Sequence, residues 1–262
     1  MEFSRTNIVY TFLVLLYICL WASSVNDFFF WDTIQLGSKQ AHFFYEASEF
    51  SLLLPNEIDS GHFPLFGLYL SVWWDFFGKT LFVSHLAMLP WVLWITYVIF
   101  RLTTIYCSEN YRYLMVFILC LEPTLLAQIT LISPDVILIA SFLSGWFYYQ
   151  KNNIVLLSLF FLILCLISLR GFMVAGALFA AVCLIWMFDK KERGNLKILT
   201  AFFPGFIAVL LFLGYHYQKS AWIGFHADSP WSPSFTKVNI SGILYNTGLF
   251  VWRMVDFGRV GV

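Results

Sequence analysis

Seven long, largely apolar runs fill most of the chain: Ile8 to Val25, Val83 to Phe100, Tyr113 to Leu131, Pro134 to Tyr149, Ile154 to Leu169, Gly171 to Phe188 and Ile198 to Gly214. A helix that crosses a bilayer needs about 20 mostly apolar residues, and these runs approach that length one after another. Only 11% of the 262 residues are charged, against roughly 25% in an ordinary soluble domain. Thirty Phe, eleven Trp and thirteen Tyr exceed what one globular core can hide, so much of this surface must face lipid. A conventional water-soluble enzyme is excluded. The expected fold is all-α, one polytopic membrane domain over residues 1–262 with seven to eight transmembrane helices. The eighth would run from Ile240 through Val251, where Arg253 and Asp256 interrupt it. Because the chain stops at Val262 without an obvious terminal element, it reads as the N-terminal part of a longer protein.

Met1 to Arg5 is a short polar lead before the first run, as in a signal peptide. Trp21-Ala-Ser-Ser-Val is a poor match to a small-residue cleavage site, so an uncleaved anchor is expected. Fifteen Lys plus Arg balance fifteen Asp plus Glu, a neutral total that gives no footprint for nucleic acid. The partition of cations between loops is more informative. With the N-terminus cytoplasmic, that side receives Arg5, Arg101, Arg112, Lys151, Lys190, Lys191, Arg193 and Lys197, and the outer side receives Lys39, Lys79, Arg170, Lys219 and Lys237. The cytoplasmic excess favours this orientation, and the compact basic loop from Asp189 to Lys197 decides it. Cys19, Cys107, Cys120, Cys165 and Cys183 lie mostly within apolar runs without C-x-x-C spacing, and read as small hydrophobes.

Two outer loops are long, 26–82 and 215–239, so chemistry is expected there. Leu65 to Phe77 is aromatic but too short to span, and reads as an interfacial helix entered through Pro64 and left through Gly78.

Four polar positions fall at the outer ends of separate runs. Asp32 sits in Phe28-Phe-Phe-Trp-Asp-Thr. Partial desolvation among aromatics would suit it to general-base work, and its place before a helix expected over Thr33 to Phe50 equally suits an N-cap. His62, in Gly61-His-Phe-Pro-Leu65 at the start of the interfacial helix, can donate to a phosphate or simply be solvated. Asp135, in Ser133-Pro-Asp, is capping chemistry that the same count of crossings brings outside. Arg170, between two runs with almost no loop, either snorkels or holds a phosphate bidentately. His42, His85 and His216 have no partner at metal-ligand spacing. Glu122-Pro123 interrupts the third run, so that either the helix ends there or Glu122 lines a polar cavity. His226 to Pro233 is a turn-rich stretch with weak potential for substrate contact.

In order, these features resemble the GT-C membrane glycosyltransferases: a first span, a long outer loop opening with Trp31-Asp32, Gly61-His-Phe-Pro-Leu65 before an aromatic run, Pro134-Asp135, and a later Arg170. The nearest likeness is to the family 39-like branch containing protein O-mannosyltransferases and lipid A aminoarabinose transferases, over Ile8 to about Met187. The resemblance implies Asp32 as catalytic base, with Glu46 or Glu49 in place of the family's adjacent second carboxylate, since Thr33 follows Asp32 here. It assigns Phe63-Pro64 to the family's Pro-Pro, Asp135 to its later Pro-Asp, and Arg170 to a cation that is frequently Lys. Substrate binding would then fall to His62, Asp135, Arg170 and Glu46.

The expected function is inverting transfer of a sugar from a polyprenyl-phosphate donor to a lipid, glycan or protein acceptor outside a bacterial cytoplasmic membrane. The donor is a substrate rather than a resident cofactor, and the sequence specifies no metal. The rival readings are a multi-span transporter and a non-catalytic scaffold or inert truncation.

Overall fold

The computed structural model describes residues 5–47, 51–188, 196–223 and 239–256; Glu49, the basic loop from Lys190 to Arg193 and the His226 to Pro233 stretch lie outside them. Among the described residues the chain is helical with no strand, an all-α polytopic protein. In chain order the helices are α1 (Arg5–Ser24), α2 (Lys39–Glu46), α3 (Leu65–Phe77), α4 (Leu81–Tyr106), α5 (Glu109–Cys120), α6 (Pro123–Ile129), α7 (Pro134–Gln150), α8 (Ile154–Ile167), α9 (Leu169–Phe188), α10 (Phe203–Ser220) and α11 (Ile240–Asp256). A π-helical turn, Ile34–Ser38, leads into α2, and a 3₁₀ turn, Leu196–Phe202, leads into α10.

Each of the seven apolar runs is helical, but they are not seven equal spans. Among the described residues four helices are long and apolar enough to cross a membrane: Thr6–Ser24, Leu81–Tyr106, Leu169–Phe188 and Lys197–Ser220. The pair α5 and α6, bent by 55°, makes a fifth if taken as one broken span. With 17 and 14 residues, α7 and α8 reach only about 26 and 21 Å at the helical rise per residue, short of a hydrocarbon core of about 30 Å. The expected seven to eight full spans thus reduce to four or five by length and composition.

The break at Leu121-Glu122 has a local cause. Pro123 has no N–H to continue the ladder and sits in the first turn of a new helix, which Glu122 caps by accepting from the Leu125 N–H at 2.7 Å. Glu122 is exposed and is a cap, so the first of the two sequence readings holds. The carbonyl of Cys120, orphaned at the end of α5, receives the buried Tyr17 hydroxyl of α1 at 2.7 Å. Near Pro90 within α4, the carbonyls of His85 and Ala87, which flank the Leu86 carbonyl that the proline leaves without a ladder donor, accept from the Trp21 indole at 2.8 Å and the Tyr69 hydroxyl at 2.6 Å. In an apolar surrounding each freed backbone group needs such a partner.

The helix expected over Leu65 to Phe77 is present as α3, which the chain leaves through Gly78 at φ 91°. It buries Phe66, Leu70 and Trp74 and leaves Phe76 and Phe77 exposed. It lies against α2 so closely that a Cβ on Gly67 would collide with Gln40. The helix expected to run to Phe50 ends instead at Glu46, with Ala47 extended. One apolar core joins α1, α3, α4, α5, α6 and α7; a second joins α7 to α10.

Candidate functional site

At one end of the bundle, the segments flanking α1, α3, α7 and α9 turn back toward a common point. Arg170 Nη1 donates to Asp135 Oδ2 at 3.0 Å, and Arg170 Nη2 donates to Asp32 Oδ2 at 3.2 Å. The planar guanidinium fork thus bridges two carboxylates contributed by separate elements. All three line one cavity of about 440 Å³, together with His62, Trp31, Gln128, Ser133 and Ser168. Four of the residues singled out from the sequence, Asp32, His62, Asp135 and Arg170, therefore share one cavity.

Local structure explains how each arrives there. Ser168 is extended between α8 and α9, so the chain reverses in one residue, and its Oγ accepts the Gly171 N–H at 3.0 Å. This places Arg170 in the first turn of α9, facing the start of α7. There Pro134 occupies the first turn and Ser133 accepts the Asp135 N–H at 3.2 Å. Asp32 lies at the entry to the π-helical turn, a form often found at functional positions. Trp31 before it has φ 25°, a sparsely populated conformation for a bulky residue. The Asp32 carboxylate accepts from Arg170 rather than from its own helix, so the N-cap reading does not hold. Its side chain is 44% exposed, so it is only partly withdrawn from solvent.

His62 follows Gly61, which takes φ 73°. The Leu169 N–H donates to His62 Nδ1 at 3.4 Å, which leaves Nε2 as the protonated nitrogen of a neutral ring. Burial holds the His62 pKa below the ordinary imidazole value and the Arg170 charge lowers it further, while Asp32 and Asp59 act the other way. His62 is thus a neutral donor rather than a cation, and the two aspartates and Arg170 leave the cavity with one net negative charge.

Glu46 is elsewhere. It is paired with Lys79 at 2.7 Å on an exposed face, and the Lys79 ammonium, which hydrogen-bonds it, lowers its pKa. It does not line the cavity. Among the described residues no three His, Cys, Asp or Glu side chains gather as a metal centre.

Sequence reasoning missed Gln128, whose buried Oε1 makes no hydrogen bond in the cavity wall. Its signal was present: apart from Glu122 it is the one strongly polar side chain in the third run other than hydroxyls. Also missed was a buried pair, His216 Nε2 to Asp59 Oδ2 at 2.9 Å, between residues 157 apart in sequence.

Beside the polar cavity lies an apolar one of about 360 Å³, lined by Leu52, Phe63, Pro64, Leu166, Leu211 and Phe212 among others. The segment His62-Phe63-Pro64 is the partition, since His62 lines one cavity and the next two residues line the other. Comparison of the chain with protein-family models, curated proteins and solved structures returned no match.

Proposed function

We propose that the chain is an integral membrane glycosyltransferase of the GT-C type, which passes a sugar from a polyprenyl-phosphate carrier to an acceptor hydroxyl at the outer face of a bacterial cytoplasmic membrane. The observation that carries this reading is the Asp32–Arg170–Asp135 bridge in a cavity divided only by residues 62–64 from an apolar one. A lipid-linked sugar needs both surroundings at once: a polar recess for sugar and phosphate, and an apolar groove for the isoprenoid. The start of α7, the end of α8 and the first turn of α9 all meet at the recess.

In this mechanism the Asp32 carboxylate takes the acceptor's hydroxyl proton as that oxygen bonds to the anomeric carbon, and the bond from that carbon to the phosphate oxygen breaks on the opposite face. The configuration inverts, and polyprenyl phosphate departs with the added negative charge. Arg170 and the His62 Nε2–H stabilise that charge. In the resting geometry Arg170 is engaged by both aspartates, so an arriving phosphate draws one N–H of the fork away from Asp32. Donor binding thereby uncovers the base, while Asp135 retains the other N–H and holds the guanidinium in place. Gln128 accepts a sugar hydroxyl.

The test is incubation of the purified protein in nanodiscs with labelled polyprenyl-phosphate sugars and candidate acceptors. Stoichiometric release of polyprenyl phosphate with a glycosylated acceptor supports the reading; intact donor across the acceptor panel contradicts it.

A second reading draws on the broken pair α5 and α6, because transporters use discontinuous helices at their binding sites. Solute flux into vesicles without glycosyl transfer would favour it.

A further inference from the structure

We propose that Asp59 and His216 are positioning residues, a buried hydrogen-bonded pair through which the end of α10 fixes the turn that carries His62 into the polar cavity. The proposal concerns the same cavity as the glycosyltransferase reading and rests on that reading only for its effect on turnover. Both side chains are 5% exposed. His216 Nε2 faces Asp59 Oδ2 at 2.9 Å and Nδ1 faces the Trp222 carbonyl at 2.9 Å. Both ring nitrogens of His216 are therefore engaged, one by Asp59 in the turn before His62 and one by the segment that follows α10. The second bond exists because Ala221 takes φ 60° and turns the chain back over α10, where the Trp222 ring also meets the His216 ring edge-on at 4.5 Å.

Asp59 uses its two oxygens for different tasks. While Oδ2 holds His216, Oδ1 accepts the Gly61 N–H at 2.8 Å and closes the tight turn immediately before His62. On the other side of His62, Phe63 packs against Phe212 at 5.2 Å, on the same helix as His216. The turn is therefore pinned to α10 at two points, and His62 Nδ1 is delivered to the Leu169 N–H beside Arg170. A buried pair is an expensive way to hold a loop unless the geometry of that loop matters. The residue whose geometry it sets is the one that borders both cavities.

Truncating one side chain alone would leave the other's buried polar atoms unpaired and could unfold the chain, so the informative variant replaces both with apolar side chains of similar size. In Asp59→Leu with His216→Phe, the Gly61 clamp is lost without stranding a charge. The readout is the titration midpoint of His62, followed by NMR of histidine-labelled protein in nanodiscs without substrate and assigned through His62→Gln. His62 is faced by Arg170, Asp32 and Asp59. Deleting the Asp59 charge by itself therefore lowers the midpoint, whereas releasing the ring from its buried position raises it toward the ordinary value of about 6.5. A raised midpoint in a variant that retains its helix content and elution volume is the expected result. A lowered or unchanged midpoint overturns the proposal. Where transfer is measurable, the same variant raises the donor KM more than it lowers kcat; because the titration needs no substrate, failure of the glycosyltransferase reading leaves it interpretable. Asp59→Asn is the second variant: its amide oxygen accepts the Gly61 N–H and its amide N–H donates to Nε2 of a neutral His216, which strands no charge, so it is expected to hold His62 closer to its native midpoint than the double variant does, and equality of the two would contradict the clamp.

Discussion

Arg170 Nη2 lies 3.2 Å from Asp32 Oδ2 across 138 residues of sequence. That contact joins the first turn of α9 to the loop that follows α1, and with the 3.0 Å bond to Asp135 it makes Arg170 the hinge of the cavity's charge balance. Replacing Arg170 with Lys keeps one positive charge but not the fork, so a single ammonium cannot hold both carboxylates in the same geometry. Transfer is expected to fall roughly a hundredfold to a thousandfold, the range for losing a preorganised charge stabiliser, with protein yield unchanged. Turnover within a few-fold of native would remove Arg170 from the mechanism.

His62 makes stability depend on pH in a stated direction. Its folded pKa is depressed, first by burial and then by Arg170. As pH falls through the unfolded value of about 6.5, the unfolded chain takes up the proton before the folded one, so stability is lost on acidification. The thermal midpoint in detergent is expected to drop more between pH 7.5 and 5.5 for the native protein than for His62→Gln. Parallel curves would show that His62 is not held neutral.

Gly171 follows Arg170, and a Cβ there would collide with the Leu164 carbonyl and crowd Ile167. Because one obstacle is backbone, Gly171→Ala must push α8 and α9 apart at the cavity rim. A loss of about 1–3 kcal/mol, typical of overpacking, is expected in denaturation, together with reduced transfer. An unchanged melt would mean that the reversal at Ser168 is more adaptable than its geometry implies.

Tyr17 ties α1 to the break between α5 and α6. Tyr17→Phe leaves the Cys120 carbonyl without that donor in an apolar setting, at an expected cost of about 1–2 kcal/mol. Thermal denaturation of the two proteins in the same detergent measures it.

Glu46 supplies a negative prediction. It pairs with Lys79 on an exposed face outside the cavity, so Glu46→Gln is expected to leave turnover unchanged in the transfer assay. A large loss would return Glu46 to the substrate-binding set.

The helices were legible because lipid imposes a coarse rule: apolar runs of a given length become helices, and every run here did. Span counting was less secure, since runs of similar hydrophobicity gave α7 and α8 too short to cross and one pair broken at Pro123. Asp32, His62, Asp135 and Arg170 were found because successive helical runs bring alternate ends to one end of the bundle, a topological argument that needs no side-chain detail. Their bonding was not legible. Whether Asp32 capped a helix or met Arg170 depended on a π-helical turn and an unusual Trp31 backbone, neither of which has a periodic signature. Asp59 and His216 escaped because local spacing was the criterion, and their pairing spans 157 residues. Glu46 was misplaced for the converse reason: closeness to Asp32 in sequence stood in for closeness in space, while α2 carries Glu46 away toward Lys79.

The most direct measurement is transfer from a labelled polyprenyl-phosphate sugar by the native protein and by Asp32→Asn at equal amounts in matched membranes. Asn keeps the shape and one acceptor oxygen for Arg170 but cannot take the hydroxyl proton. The account predicts that the native protein forms glycosylated acceptor, and that the variant folds, binds donor and forms none above background. Native-level turnover by Asp32→Asn would contradict it.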